Sequence, residues 1–133
     1  MKRKTLKAFS LAELLFVLAI IGILYLLVMP NQASTVAMAR SIEAKSMLNQ
    51  VYAFEKSQFF MYAKYSNSLE EIGFEQERLT TEGGQACYRL VVEEATSNSF
   101  LIKAESVVDF DGDGQFNVWQ IDHNKVLKEV TKD

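Results

Sequence analysis

From Leu14 to Met29 the chain runs for 16 residues without a charged side chain, and this stretch constrains everything else. Counted from Phe9, about twenty residues in a helix rising 1.5 Å per residue span about 30 Å, enough for a bilayer core. Lys2, Arg3, Lys4 and Lys7 precede the run with no acidic residue among them. The positive-inside rule therefore keeps Met1 in the cytoplasm and sends the C-terminal region across the membrane. An ordinary secretory signal places its small-residue cleavage site after the apolar core. Here the small-residue site, Ala8-Phe9, lies before it, so a cut there leaves the apolar segment on the mature chain.

The basic leader, Phe9, Glu13 four residues on, Gly22 and Pro30 stand in one register. That arrangement resembles the class III signal of type IV pilins and type II secretion pseudopilins, with Ala8 where most members carry Gly. The resemblance covers roughly the first thirty residues. It implies cleavage between Ala8 and Phe9 by a prepilin peptidase and N-methylation of Phe9. Storage in the inner membrane as a single-pass protein would follow, then polymerisation by an inner-membrane assembly platform and its ATPase.

Glu13 carries a physical argument of its own. A carboxylate near the end of an apolar span is costly unless it snorkels, is neutralised or finds a partner. After a cut at Ala8 it sits one helical turn from a new ammonium on Phe9, and a helix N-terminus favours negative charge. The resemblance implies an assembly role, in which Glu13 of one subunit meets the Phe9 amine of a neighbour. The plainer alternative is a single-pass anchor whose Glu13 reaches the headgroups.

A length of 133 residues leaves room for one membrane segment and one small domain. Losing the four basic leader residues from the 14 Lys and Arg leaves ten against 17 Asp and Glu, a side-chain charge of −7. Such a surface lacks the clustered cations that phosphate binding needs, so no nucleic-acid partner is expected. Cys87 is the single cysteine, which excludes an intrachain disulfide. Its place in the alternating run Cys87-Tyr-Arg-Leu-Val-Val suits a small buried side chain.

Beyond Pro30, where a kink near Val28 to Pro30 is expected, residues 33–61 contain neither Gly nor Pro. Leu48, Val51, Tyr52, Glu55, Phe59 and Tyr62 recur at the spacing of one helix face, broken only by Glu55. Ser68 to Gly73 reads as a capped helical turn, and Gly83-Gly84 as a turn. Ala86–Glu93, Ser99–Val107, Phe116–Ile121 and Val126–Val130 are β-rich. The expected fold is α+β and pilin-like, a long N-terminal helix packed on a small antiparallel sheet of three to four strands. The expected domains are a leader at 1–8, a membrane-spanning and filament-core segment at 9–30, and a periplasmic or extracellular globular domain at 31–133.

The segment Asp109-Phe-Asp111-Gly-Asp113-Gly114-Gln115-Phe-Asn117 places acidic side chains at alternate positions ahead of Gly, like the first half of an EF-hand calcium loop. Asp109, Asp111 and Asp113 offer hard oxygen ligands, Gln115 a backbone carbonyl, and Asn117 a side chain or water contact. The twelfth position is Gln120 in place of the bidentate Glu, so the likeness is to the ligand pattern alone. The alternative is an Asp/Gly-rich turn between strands.

No Cys/His or Ser/His/Asp relay is apparent, and His123, the single histidine, reads as a turn residue. Trp119, Phe110 and Phe116 read as core. The expected function is that of a non-enzymatic subunit of a type IV pilus-like filament, polymerised with copies of itself after leaving membrane lipid. The alternatives are a type II secretion pseudopilin and a monomeric membrane-anchored calcium-binding domain.

Overall fold

The protein is described by a computed structural model over residues 8–29 and 32–133. The basic leader up to Lys7 and the kink expected at Pro30 lie outside the described residues. Two helices, α1 (Leu11–Val28) and α2 (Gln32–Tyr62), precede four strands, β1 (Tyr88–Ala95), β2 (Phe100–Ser106), β3 (Val118–Asp122) and β4 (Leu127–Thr131). The chain divides into two compact units at Gln32 and Ala33. This is the expected α+β, pilin-like arrangement.

α1 begins where Ser10 supplies an N-cap and ends where Met29, at φ −57 and ψ 103, leaves helical geometry. The residue before a proline is pushed out of the α region, because the ring collides with its backbone. The end of α1 therefore follows from Pro30 being next in the chain.

In the second unit the strands form an antiparallel sheet in the order β1-β2-β3-β4, a meander in which each strand pairs with the next. Alternation puts Tyr88 and Leu90 of β1, Phe100, Ile102 and Ala104 of β2, and Ile121 of β3 on one buried face. Ala44, Leu48 and Val51 of α2 join them, spaced to lie along one helix face. Tyr65, Ile72 and Phe74 of the α2–β1 connection close the same core. Cys87 is buried, as expected of a small apolar side chain.

The turns have identifiable causes. Thr96 Oγ1 accepts the N–H groups of Asn98 and Ser99 and so closes the β1–β2 hairpin. Asp122 Oδ1 accepts those of Asn124 and Val126 in the β3–β4 turn, where His123 also sits. Residues 69–73 form hydrogen-bonded turns, with Ser68 Oγ accepting the Glu71 N–H at 3.4 Å, as expected of a capped turn.

Two members of the expected apolar stripe depart from it. Tyr62, in the last turn of α2, is 62% exposed, because the chain turns away at Ala63 and no strand covers it. Glu55 goes the other way and is fully buried. Its Oε2 accepts the Ser66 N–H at 3.1 Å, while Oε1 has no hydrogen-bond partner among the described residues. The Ser66 backbone therefore explains half of this burial, and desolvation raises the Glu55 carboxyl above its ordinary pKa despite that bond.

A raised folded-state value gives stability that is complete below the ordinary carboxylate range and fades as pH rises through the shifted value. Glu55→Gln is neutral at every pH and keeps an oxygen for Ser66. Its melting temperature should therefore gain on that of the wild type as pH rises from about 4, the ordinary carboxylate range, through the raised value. A constant difference between the two melting curves across that range would show that Glu55 does not titrate in the fold.

Candidate functional site

The N-terminal unit is built around one carboxylate. Ala8, Phe9 and Ser10 are exposed and non-helical, and α1 follows directly. Glu13 Oε2 accepts hydrogen bonds from the Ser10 N–H at 2.9 Å and the Ser10 hydroxyl at 3.1 Å. The Glu13 N–H donates to Ser10 Oγ at 3.3 Å. This is a capping box, in which the cap residue and the third helical residue satisfy one another's backbone donors. Ser10-Leu-Ala-Glu13 ahead of an apolar run is the sequence signal for such a box.

The remaining length of α1 is apolar. Its 18 residues have a mean hydropathy of 2.8, and none is buried within the chain. By length and composition it is able to cross a membrane. Glu13 thus sits in the first turn of a helix whose other side chains carry no charge.

The acidic loop between β2 and β3 is organised from within. Asp109 accepts the N–H groups of Gly112 and Gly114, at 2.6 and 2.8 Å. Both glycines have positive φ, 80 and 87, which lets the backbone fold back onto that carboxylate. The Gly114 bond is the main reason the Asp109 carboxyl lies below its ordinary pKa.

Asp133 reaches this loop from beyond β4 and accepts the N–H groups of Phe110 and Asp111, at 2.9 and 3.2 Å. One carboxylate oxygen from each of Asp109, Asp111 and Asp133 lies within 4.8 Å of the others. At Asp111 the Asp113 N–H bond lowers the pKa. Desolvation together with the charges of Asp113, Asp133 and Asp109 outweighs it, and the net shift is upward.

The expected ligands are therefore only partly brought together. Asp109 and Asp111 converge, and Asp133 joins them where Asp113 had been expected. Asp113 instead accepts the Gln115 N–H at 2.7 Å and its side-chain amide at 3.2 Å. Asn117 is 2% exposed and faces the core. Its Oδ1 accepts the Tyr88 hydroxyl at 2.8 Å, and its Nδ2 donates to Glu129 and to the Thr131 carbonyl. It ties β1 to β4, and its side chain lies in the buried interior instead of the acidic loop. Phe110 does pack against the core, whereas Phe116 is exposed.

No family model matches the chain. Over 72 residues, 54% of its length, it is 42% identical to the type IV major pilin protein PilA of Myxococcus xanthus. The match spans about a third of that relative's length, 33%. The chain is thus similar over half its length to a type IV major pilin, and its N-terminal apolar helix fits a class III signal.

Proposed function

We propose that this chain is a pilin-like structural subunit, held in the membrane by α1 and polymerised into a surface filament through it. The observation that carries this reading is α1 itself. It is an 18-residue apolar helix with no residue buried by the rest of the chain, opened by a single locally bonded carboxylate. Apolar surface on that scale needs a cover. Lipid supplies it before assembly, and the same helix of neighbouring copies supplies it afterwards. The similarity to a type IV major pilin supports the pilus over the secretion pseudopilus.

On this reading a prepilin peptidase cuts after Ala8, Phe9 becomes the methylated N-terminus, and an ATPase-driven platform extracts the subunit. The second unit, residues 33–133, faces outward and has a structural, non-enzymatic role. Mass spectrometry of membrane-extracted protein from cells with an active prepilin peptidase should find chains beginning at Phe9. Ala8→Gly should be processed at least as well, and a bulky residue at position 8 should accumulate precursor. Full-length chain alone in wild-type cells would defeat the processing step.

We propose also that the outward-facing acidic loop takes a calcium ion through Asp109, Asp111 and Asp133. The donor set suits a hard cation, since all three groups are carboxylates and each oxygen already bonded to an N–H keeps a second lone pair. Calcium would neutralise charges that otherwise repel, and would fasten Asp133 to the loop.

An ion at ten times its Kd adds about 1.4 kcal/mol to the folded state. For a domain of this size that is a rise of about 4–8 °C in Tm on adding Ca²⁺, reversed by chelator. Mg²⁺ should do less, because it gives up water reluctantly. Asp111→Ala with Asp133→Ala should remove the response. A titration with neither a melting shift nor a heat of binding would leave the loop an acidic turn and the filament reading untouched.

A further inference from the structure

The sheet of the second unit has two free edges, and they are treated differently. Along β1, the side chain of Gln76 imitates a fifth strand. Its Oε1 accepts the Leu90 N–H at 3.0 Å, and its Nε2 donates to the Tyr88 carbonyl at 3.2 Å. The segment carrying Gln76 therefore runs beside β1. Glu75 and Glu77, on either side of Gln76, are exposed and take part in no ion pair among the described residues. Residues 68–77 carry four glutamates and no lysine or arginine. A groove of about 310 Å³ lies against the same strip, with Met47 and Phe74 among its lining and Glu43, Glu75 and Glu77 about it.

Among the described residues the opposite edge, β4, has no such cover. Residues 125–132 carry three lysines against one glutamate. That glutamate, Glu129, is engaged by Asn117. Lys128 and Lys132 are exposed, and they alternate with exposed Val126 and Val130. In the strand order β1-β2-β3-β4 the acidic strip and the lysine strip stand at opposite ends of one sheet. They cannot meet within one copy.

We propose that the Glu75/Glu77 strip of one copy docks against the Lys128/Lys132 edge of the next. The occupant of each strip is a second copy of this chain, because each surface supplies the charge the other lacks. Val126 and Val130 enter the acidic groove while the lysines meet its rim. Two different patches in contact make a heterologous interface, which repeats from copy to copy and gives an open helical series wherever its rotation does not close into a ring. The contact rests on the filament reading above and adds to it a second set of contacts, between globular units. Charge pairs of this kind chiefly fix register and exclude wrong neighbours.

The test is a charge swap in cells that assemble filaments from the full chain. Glu75→Lys with Glu77→Lys, and separately Lys128→Glu with Lys132→Glu, should each lower the yield of sheared filaments about tenfold, since each places like charges face to face. Subunit level in the membrane should not change. All four substitutions together should restore the yield to within about twofold of wild type.

Normal filaments from either reversed pair would overturn the contact. So would two defective pairs with no rescue in combination, which would assign the strips to some other partner. A reversal that lowered the subunit level would be replaced by Glu77→Cys with Lys128→Cys. Diamide oxidation then yields a ladder of linked subunits if the edges meet, and monomers if they do not. Absence of filaments from wild-type cells would remove the filament reading and this contact with it, a result distinct from loss in the variants alone.

Discussion

Glu13→Val is expected to insert into the membrane as well as the wild type and to yield almost no filaments. Both effects come from one position. In the first turn of α1 the carboxylate accepts two hydrogen bonds from Ser10, and it is the single charged side chain of the helix. Valine removes an ionised group from an apolar span, and on the biological insertion scale a charge at a helix centre costs about 2.5–3.5 kcal/mol. Insertion can therefore only improve. On the filament reading, assembly is the process that loses a charge partner. The local box also supplies a control, since Ser10→Ala removes the cap and leaves the carboxylate. A cap is worth about 1 kcal/mol, so Ser10→Ala should weaken the start of α1 and still assemble. Equal loss of filaments from both variants would assign the Glu13 effect to the cap and not to its charge. Membrane fractionation and filament yield, measured side by side, separate these outcomes.

Asn117→Ala is expected to be the most damaging single change in the folded unit outside its apolar core. Three groups lose a partner: the buried Tyr88 hydroxyl, the Thr131 carbonyl and the Glu129 carboxylate. Burial has already pushed the Tyr88 phenol well above its ordinary pKa, so it stays a neutral donor in search of an acceptor. An orphaned buried group costs about 1–3 kcal/mol. With relaxation and water reaching Glu129, the loss should be about 2–4 kcal/mol, or roughly 10–20 °C in Tm. Tyr88→Phe should cost less, because it removes the donor instead of stranding it. In the double variant the two losses should be clearly less than additive. Thermal melting of the four proteins reads this directly, and simple additivity would contradict the proposed link between β1 and β4.

Different parts of the fold were legible for different reasons. α1 could be read because an uncharged run of that length has few alternatives, and because Pro30 punctuates it. The strands were legible within about two residues at each end, since alternation marks which residues face the core. Glu55 was visible as a break in the apolar face of α2. Nothing in its neighbourhood, however, announced that Ser66, eleven residues on, would meet it with a backbone N–H. Tyr62 matched the stripe by spacing and failed by position, since the sheet does not reach the last turn.

The acidic loop shows the limit of local reading. Spacing found Asp109 and Asp111 but could not find Asp133, which arrives from 22 to 24 residues away because β4 returns beside β3. It also kept Asn117 among the ligands, when the same backbone placement turns that side chain inward. Ser10 is a different case, because its partner is near in sequence and Ser-x-x-Glu is itself a capping signal. Long-range returns of the chain need the topology, whereas caps need only the motif.

The most direct measurement of the central claim is made on the filament fraction itself. Surface filaments are sheared from cells, pelleted, imaged by electron microscopy and their subunits identified by intact mass. The account requires thin filaments whose principal subunit is this chain beginning at Phe9, lost on deletion of its gene and not restored by Glu13→Val. Recovery of the chain solely from the membrane fraction as a monomer, in cells whose assembly machinery is active, would contradict it.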